Sequence, residues 1–537
     1  MPEINTRIVA LIPASLLLVT SVSILALRWL RPKFSFYWLV SLCGILLTWV
    51  SNLVLRNWIP IILPITSWLS EELFSASLIL IFDQLSWIIS LALLTFTLSV
   101  ILTDIVHPVQ EDYPRSNWFE IAGWTILPAV GLMAIMAGNL LTLLMAWVSL
   151  DLMEFTFWFT KARERSRVDR VVYNFSTRIC SLFFIIWSLI LVNAKGQVFS
   201  WEGISPQVTL FIIIAVILRS GVLPIRSPLS EKLAVSRSTR ILFRLVPSFT
   251  SLAILPRLAH VDVPPPFSYG LLALLAISAL ASGLSWVNSK DEMEGLSFWI
   301  SGIAALSIAA AIYNNPASSL TWTMALLLLG GILFCFSVRA GWLLVIPFMS
   351  ALMLTGLPFT LTWQAMAIFA PPFTIFKFLI IISQSLLLAG YLKHSWRRPS
   401  ISPRVDRWFW IVIPWGIGQL LILQIVISRW LSIENAYISE IPLTWNGLWP
   451  GIVVCILGVS IFTWTLQGRD LFSKPESVLA WTLSFEWIYP ILSGLFRFFS
   501  RIFRFMNIFI EGEPGVLWAA LVLILLLSLL SQVWSGG

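Results

Sequence analysis

The chain has 537 residues, of which 58% are hydrophobic and only 11% charged, and its mean hydropathy is +0.90. A soluble domain carries about a quarter charged residues, so this composition excludes a soluble enzyme and predicts an all-α polytopic membrane protein. The net charge of +8 does not point to nucleic acid. The basic residues sit in short loops between apolar runs, where the positive-inside rule accounts for them.

Apolar runs of about twenty residues span a bilayer core at 1.5 Å per residue. They start near residues 8, 36, 84, 121, 140, 172, 208, 241, 267, 296, 319, 341, 370, 408, 449 and 515, predicting about sixteen transmembrane helices. The first (Ile8 to Leu27) lacks a basic flank and a small-residue cleavage site, so it reads as a retained helix and not a signal peptide. The loops after spans 1 ("RWLRPK"), 5 ("KARERSRVDR"), 7 ("RSPLSEKLAVSRSTR") and 13 ("KHSWRRPSISPRVDR") hold most loop Lys and Arg. Even-numbered loops such as "NAKGQVFSWEGISPQ" and "HVDVPPP" are poor in them. Odd loops therefore face the cytoplasm and the N-terminus lies outside. A multi-pass protein of the cell membrane, most simply a bacterial inner membrane, is expected.

Near the C-terminus "FEWIYPILSGLFRFFSRIFRFMNIF" repeats Arg497, Arg501 and Arg504 at spacings of four and three, a basic stripe beside Phe and Ile. This pattern predicts an amphipathic helix lying on the cytoplasmic lipid interface. Cys43, Cys180, Cys335 and Cys455 are scattered through apolar runs without paired spacing and read as packing residues. His107, His260 and His394 read as loop residues. No phosphate-binding glycine loop, metalloprotease motif or nucleophile elbow is present, so no catalytic residue, cofactor or metal is expected.

Candidate chemistry rests on ionisable groups within or beside the spans: Asp83, Asp151, Glu154, Arg178, Arg219, Arg244 and Lys377. Such groups usually face the bundle interior, pair with one another and mark an ion or proton route. Asp151 and Glu154 are three apart, on one helix face, as proton storage by a carboxylate pair would require; the plainer alternative is that Asp151 balances a structural arginine. Pro224 follows Arg219 by five residues and can break the helix, freeing carbonyls that solvate a cation. Arginine does not release a proton near neutral pH and acts only as a fixed charge. With an unpaired buried charge so costly, Arg219 is expected to pair with Asp151 or Glu154.

The stretch "LRSGVLPIRSPLSEKLAVSRSTRILFRLVPSFTSLAILPRL" resembles the central signature of the antiporter-like membrane subunits of respiratory complex I, Mrp-type antiporters and membrane-bound hydrogenases. That family's span-7 lysine, following proline, span-8 histidine or lysine and closing arginine fall on Arg219, Pro224, Arg244 and Arg257. "FDQLSWIISLALL" at Asp83 looks like the family's D-x-L-S, and "NLLTLLMAWVSLDLMEF" like its span-5 motif. "FSTRICSLFF" looks like N-R-x-G-D with Arg178 kept and Ser181 in place of Asp, and "LTGLPFTLTWQAM" like the G-L-P-F-T loop at Pro358. The resemblance implies two inverted five-helix repeats, broken spans 7 and 12, and five regions. These are N-terminal helices (1–118), two repeats (119–258 and 259–393), additional helices (394–476), and the interfacial helix with the last span (477–537).

The departures are specific. The span-5 glutamate position after Trp147 holds Val148, leaving Asp151 one turn on; the span-12 lysine position holds Met366, leaving Lys377 as the nearest amine. Titratable members of the axis give way to apolar or permanently charged groups, which counts against proton translocation through this chain. The resemblance implies a non-catalytic membrane subunit of an NADH-quinone oxidoreductase-like or related ion-translocating complex, with other membrane subunits and lipids as partners. The alternatives are the membrane subunit of a DAB-type inorganic-carbon uptake system, a non-conducting structural subunit, and an independent transporter.

Overall fold

Fifteen of the sixteen apolar runs fold as helices in the computed structural model, and the run starting near residue 515 lies outside the described residues. Those residues are 9–66, 77–105, 116–162, 165–194, 201, 203–225, 235–336, 341–396, 409–433 and 445–467, with scattered residues between 482 and 501. In chain order, α1 (Ile12–Leu30) and α2 (Tyr37–Leu55) precede a ribbon of β1 (Ile61–Thr66) and β2 (Leu78–Phe82), then α3 (Gln84–Ile105). Five helices follow: α4 (Trp118–Ile135), α5 (Leu140–Lys161), α6 (Arg165–Ala194), α7 (Pro206–Ser220) and α8 (Arg237–Leu252). Five more are α9 (Phe267–Asn288), α10 (Glu292–Ile312), α11 (Pro316–Cys335), α12 (Val345–Met353) and α13 (Ile375–Ser395). Then come α14 (Phe409–Ile433) and α15 (Trp445–Leu466).

Thirteen helices are long and apolar enough to cross a membrane, and α7 and α12 are shorter apolar ones. This is an all-α multi-pass membrane protein. Sequence sets several helix starts locally: Asn117, Asn139, Ser236 and Asn315 each accept a hydrogen bond from the backbone N–H three residues on, opening α4, α5, α8 and α11.

The two sets of five close on themselves in the same way. α4 packs on α5, α5 on α6, α6 on α7, α7 on α8 and α8 back on α4; α9 to α13 make the same circuit, with α13 returning to α9. In each set the fourth helix is the short one and is followed by a glycine of positive φ, Gly221 at 78° and Gly356 at 75°. Pro224 and Pro358, the expected break points, follow α7 and α12 by a few residues.

Between and around the rings α3, α8, α10 and α11 are buried on almost every face. α1, α2, α6, α14 and α15 instead turn apolar residues outward, among them Val19, Leu47, Trp187, Trp415 and Ile456. In lipid a helix is apolar all round whether it faces neighbours or acyl chains, so hydropathy alone does not separate the two. Small residues do the separating where helices approach closely. Trp286 of α9 is fully buried, and a Cβ on Gly295 of α10 or Gly390 of α13 would overlap its ring.

One element is added to the helices, and two expectations are corrected. The helical fold carries one antiparallel ribbon, in which Ile61 pairs with Phe82 and Leu63 with Leu80. Prolines at 60 and 64 oppose helix there, and the β-branched, apolar segments seat their edge on the turn after α4 through Ile81 N–H to Met136 O and Gly138 N–H to Ile79 O. His394 is not a loop residue but is fully buried at the end of α13, its Nε2 3.0 Å from Ser289 Oγ. Of the cysteines only Cys335 is buried, while Cys43 and Cys180 are exposed on the outer surface.

Residues Met1–Leu483 form one unit and Ser484–Gly537 a second. In the second, Arg501 is exposed, whereas Arg497 and Arg504 lie outside the described residues, so the basic stripe is not described as a whole.

Candidate functional site: a buried arginine–carboxylate cluster

Along α5, Trp147, Asp151, Glu154 and Trp158 recur at spacings of four, three and four, which puts them on one face. All four are buried, with Asp151 only 1% exposed. Val148, at the family's glutamate position, is outside this row, so Asp151 takes the inward direction one turn on. Three neighbouring helices each bring a guanidinium to this face: Arg178 from α6, Arg219 from α7 and Arg244 from α8.

Asp151 is shared. Arg178 Nη1 donates to its Oδ1 at 2.9 Å and Arg219 Nη1 to its Oδ2 at 2.5 Å. The same Arg178 nitrogen lies against Glu154 Oε2. Arg219 is completely buried; its Nη2 donates to the Trp147 carbonyl at 3.2 Å and its guanidinium sits 4.6 Å from the Trp147 ring centroid. Stacking, hydrogen bonding and charge pairing together repay much of the cost of burying this cation. The pairing expected for Arg219 is thus found with Asp151. Sequence reading did not anticipate that Arg178 would bridge both carboxylates, although the preserved Arg in "FSTRICSLFF" was the available signal.

Arg244 differs. It is 5% exposed, lines the same cavity as Glu154, and its Nη2 has no hydrogen-bond partner. It belongs to a row on α8, Arg237, Arg240 and Arg244, spaced three and four apart. Between Arg244, Arg178, Glu154 and Trp158 lies a cavity of about 20 Å³, room for roughly one water-sized occupant.

Other predicted members lie elsewhere. Lys377, near the start of α13, donates to the Ala370 carbonyl and sits 5.1 Å from the Tyr313 ring centroid, and among the described residues it has no acidic partner. Met366 is buried against Gly356. Around it the second ring offers neutral groups: the Tyr391 hydroxyl lies 3.0 Å from Ser350 Oγ, and Gln384 Nε2 donates to the Leu354 carbonyl at 3.0 Å. The carbonyls exposed after α7 are already engaged, Val222 O by Ser278 Oγ at 2.7 Å and Gly221 O by Ser301 Oγ. Hydroxyls therefore take up positions that the sequence reading offered to a cation.

Three further ion pairs frame the cluster. Asp83 caps the start of α3 through the Ser86 N–H and receives Arg257 Nη2 at 2.8 Å. Where α4 and α8 begin, Glu120 accepts from Lys161 Nζ at 3.1 Å and from Thr239 Oγ1 at 3.0 Å. Beside it Arg237 Nη2 donates to Glu292 at 3.0 Å. Arg237 had been assigned to a loop; the Ser236-x-x-Thr239 cap starts the helix one residue before it.

The overall fold is found in solved membrane complexes. The chain superposes on a chain of the membrane-bound sulfane sulfur reductase, an archaeal respiratory membrane complex, with a TM-score of 0.68 at 13% identity, covering 98% of this chain and 100% of that one. A chain of the Mrp complex from Dietzia sp. DQ12-45-1b gives a TM-score of 0.73 at 14% identity over 99% of this chain and 63% of that one. The fold is shared with the chains of these membrane complexes. A chain of respiratory complex I from Thermus thermophilus gives 0.56 at 15% identity over 83% of this chain and 99% of that one. No family model matches the sequence, and no curated protein does. The resemblance read from the motifs and the fold found in space therefore agree, at identities that speak to fold alone.

Proposed function

We propose that the chain is a membrane subunit of a multi-subunit cation-translocating complex, seated in a bacterial cell membrane with its N-terminus outside and partnered by other membrane subunits and lipids. Five is an odd number of crossings, so a second ring of five enters the membrane from the opposite side to the first. That is the inverted arrangement the motifs imply. The apolar outer faces of α1, α2, α14 and α15 suit lipid or neighbouring helices.

Within such a complex the cluster acts as an electrostatic lock. The observation that carries this reading is the double engagement of Asp151 by Arg178 and Arg219. A relay needs a group that gains and loses a proton during turnover; guanidinium keeps its proton, and a carboxylate held between two of them has its charge compensated. The second ring carries hydroxyl and amide groups of Ser307, Thr323, Ser350, Gln384 and Tyr391 in its interior, while its buried Lys377 and His394 stand at the two ends of α13.

The test is purification of the native assembly in mild detergent, identification of the subunits that accompany the chain, and reconstitution of the chain with and without them. The expected result is ion movement by the assembly and none by the chain alone. A chain that purifies by itself and moves protons or sodium as fast as any assembly overturns the reading.

A further inference from the structure

We propose that the cavity beside Glu154 and Arg178 is a binding site for a small monovalent anion. Three guanidiniums, Arg178, Arg219 and Arg244, face two carboxylates, Asp151 and Glu154, which leaves one positive charge in excess among the described residues. An uncompensated charge in a buried, membrane-spanning bundle is costly, and a bound counter-ion is the direct way to neutralise it.

The donors are already in place. Arg244 Nη2, Arg178 Nη2 and Trp158 Nε1 are buried without hydrogen-bond partners, and all three residues line the cavity. Asn174 lines it as well, and Phe155, Phe175 and Val171 supply apolar wall. Guanidinium and indole N–H groups donate and do not accept. Asp151 and Glu154 also line the cavity, but both are engaged by arginines; three unengaged donors around about 20 Å³ match an occupant that accepts and is about the size of one water.

A cation is the competing occupant, because Glu154 Oε2 also borders the cavity without a hydrogen bond of its own. That oxygen is in ion-pair contact with Arg178 Nη1. Three unengaged donors, Arg178 Nη2, Arg244 Nη2 and Trp158 Nε1, stand against this one oxygen among the described residues lining the cavity, and that balance decides for the anion. The chemistry and the volume fit a halide; nitrate and bicarbonate have four heavy atoms each, and bicarbonate adds an O–H that the cavity's donors cannot accept, so both serve as the larger comparison anions. The proposal stands on the cavity alone and is indifferent to which complex holds the chain, so its failure and that of the assembly reading are separately visible.

The experiment uses the full chain with its co-purifying subunits at constant ionic strength, gluconate being replaced stepwise by bromide, chloride, nitrate or bicarbonate. The expected result is a saturable rise in the thermal unfolding midpoint for the small anions, with anomalous scattering from bromide located between Arg244, Arg178 and Trp158. The relative half-saturation of halide and oxyanion arms names the physiological class. Arg244→Gln is expected to weaken the apparent affinity at least ~10-fold. Trp158→Phe keeps the ring, loses only the N–H and is expected to weaken it by a smaller factor, which serves if the arginine variant fails to assemble. Equal unfolding midpoints in gluconate and in every small anion, or a rise unchanged in Trp158→Phe together with bromide bound elsewhere, overturns the proposal. A rise with sodium or potassium instead, at fixed anion, assigns the cavity to a cation and overturns it equally.

Discussion

Arg219 holds one oxygen of Asp151 while the other oxygen of the same carboxylate is held by Arg178. Helices α5, α6 and α7 are thus joined at a single buried carboxylate. Removing one partner strands a charge, whereas removing both does not, because the cost of breaking a buried pair lies largely in the charge left behind.

Arg219→Met is therefore expected to destabilise the bundle by roughly 3–5 kcal/mol, and Arg219→Met with Asp151→Asn by less than the sum of the single changes. A double-mutant cycle on assembly stability reads this directly. The coupling should survive in a Glu154→Gln background, since Glu154 contacts Arg178 and not Arg219. Strict additivity of Arg219→Met and Asp151→Asn would reject the shared carboxylate.

Much of the fold was legible because crossing a bilayer imposes one length and one composition on every helix. Fifteen starts were readable to within seven residues, and even the short α7 and α12 showed as apolar runs. The ribbon after α2 was not, because "IILPIT" and "LILIF" are apolar in any conformation and only the pairing partner distinguishes them. At the site, the spacing of Asp151 and Glu154 fixed their common face, and the cost of burial fixed the need of Arg219 for an acid. Arg178 as a bridge, and the pairs of Asp83 with Arg257 and Arg237 with Glu292, join residues 174 and 55 positions apart. No local pattern encodes such a distance; it follows from which helices the rings bring side by side.

The Asp83–Arg257 pair links the start of α3, next to the ribbon, to the short helix Leu255–Leu258 that follows α8. Arg257→Met is expected to speed amide hydrogen exchange across Leu78–Phe82 and in the first turn of α3, while exchange at mid-α8 stays unchanged. Exchange rates in the ribbon that do not respond would remove this pair from the account of how the ribbon is held.

Trp286 between Gly295 and Gly390 leaves no space for a methyl group on either side. Gly390→Ala should cost about 1–3 kcal/mol through overpacking, and Trp286→Leu in the same chain should recover part of that loss. The comparison is made on thermal unfolding of the purified assembly. A Gly390→Ala chain as stable as the original would mean that α9 and α13 are less tightly apposed than described.

Cysteine chemistry offers an independent check on which faces point outward. A lipid-soluble maleimide should modify Cys43 and Cys180 in the native assembly unless a partner subunit covers them, and should leave Cys335 untouched until the protein unfolds. Rapid modification of Cys335 in the folded state would contradict the burial of α11.

Asp151 stands near the middle of α5, about 16 Å from either end at 1.5 Å per residue, and the proposal puts the excess guanidinium charge beside it. A charge at that depth feels about half of the voltage across the membrane, or ~1 kcal/mol per 100 mV. With an anion in the cavity that handle disappears. Occupancy of a single small site would then set whether the electrical gradient can pull on α8 at all, making the bundle's response to an energised membrane a function of the ions dissolved around it.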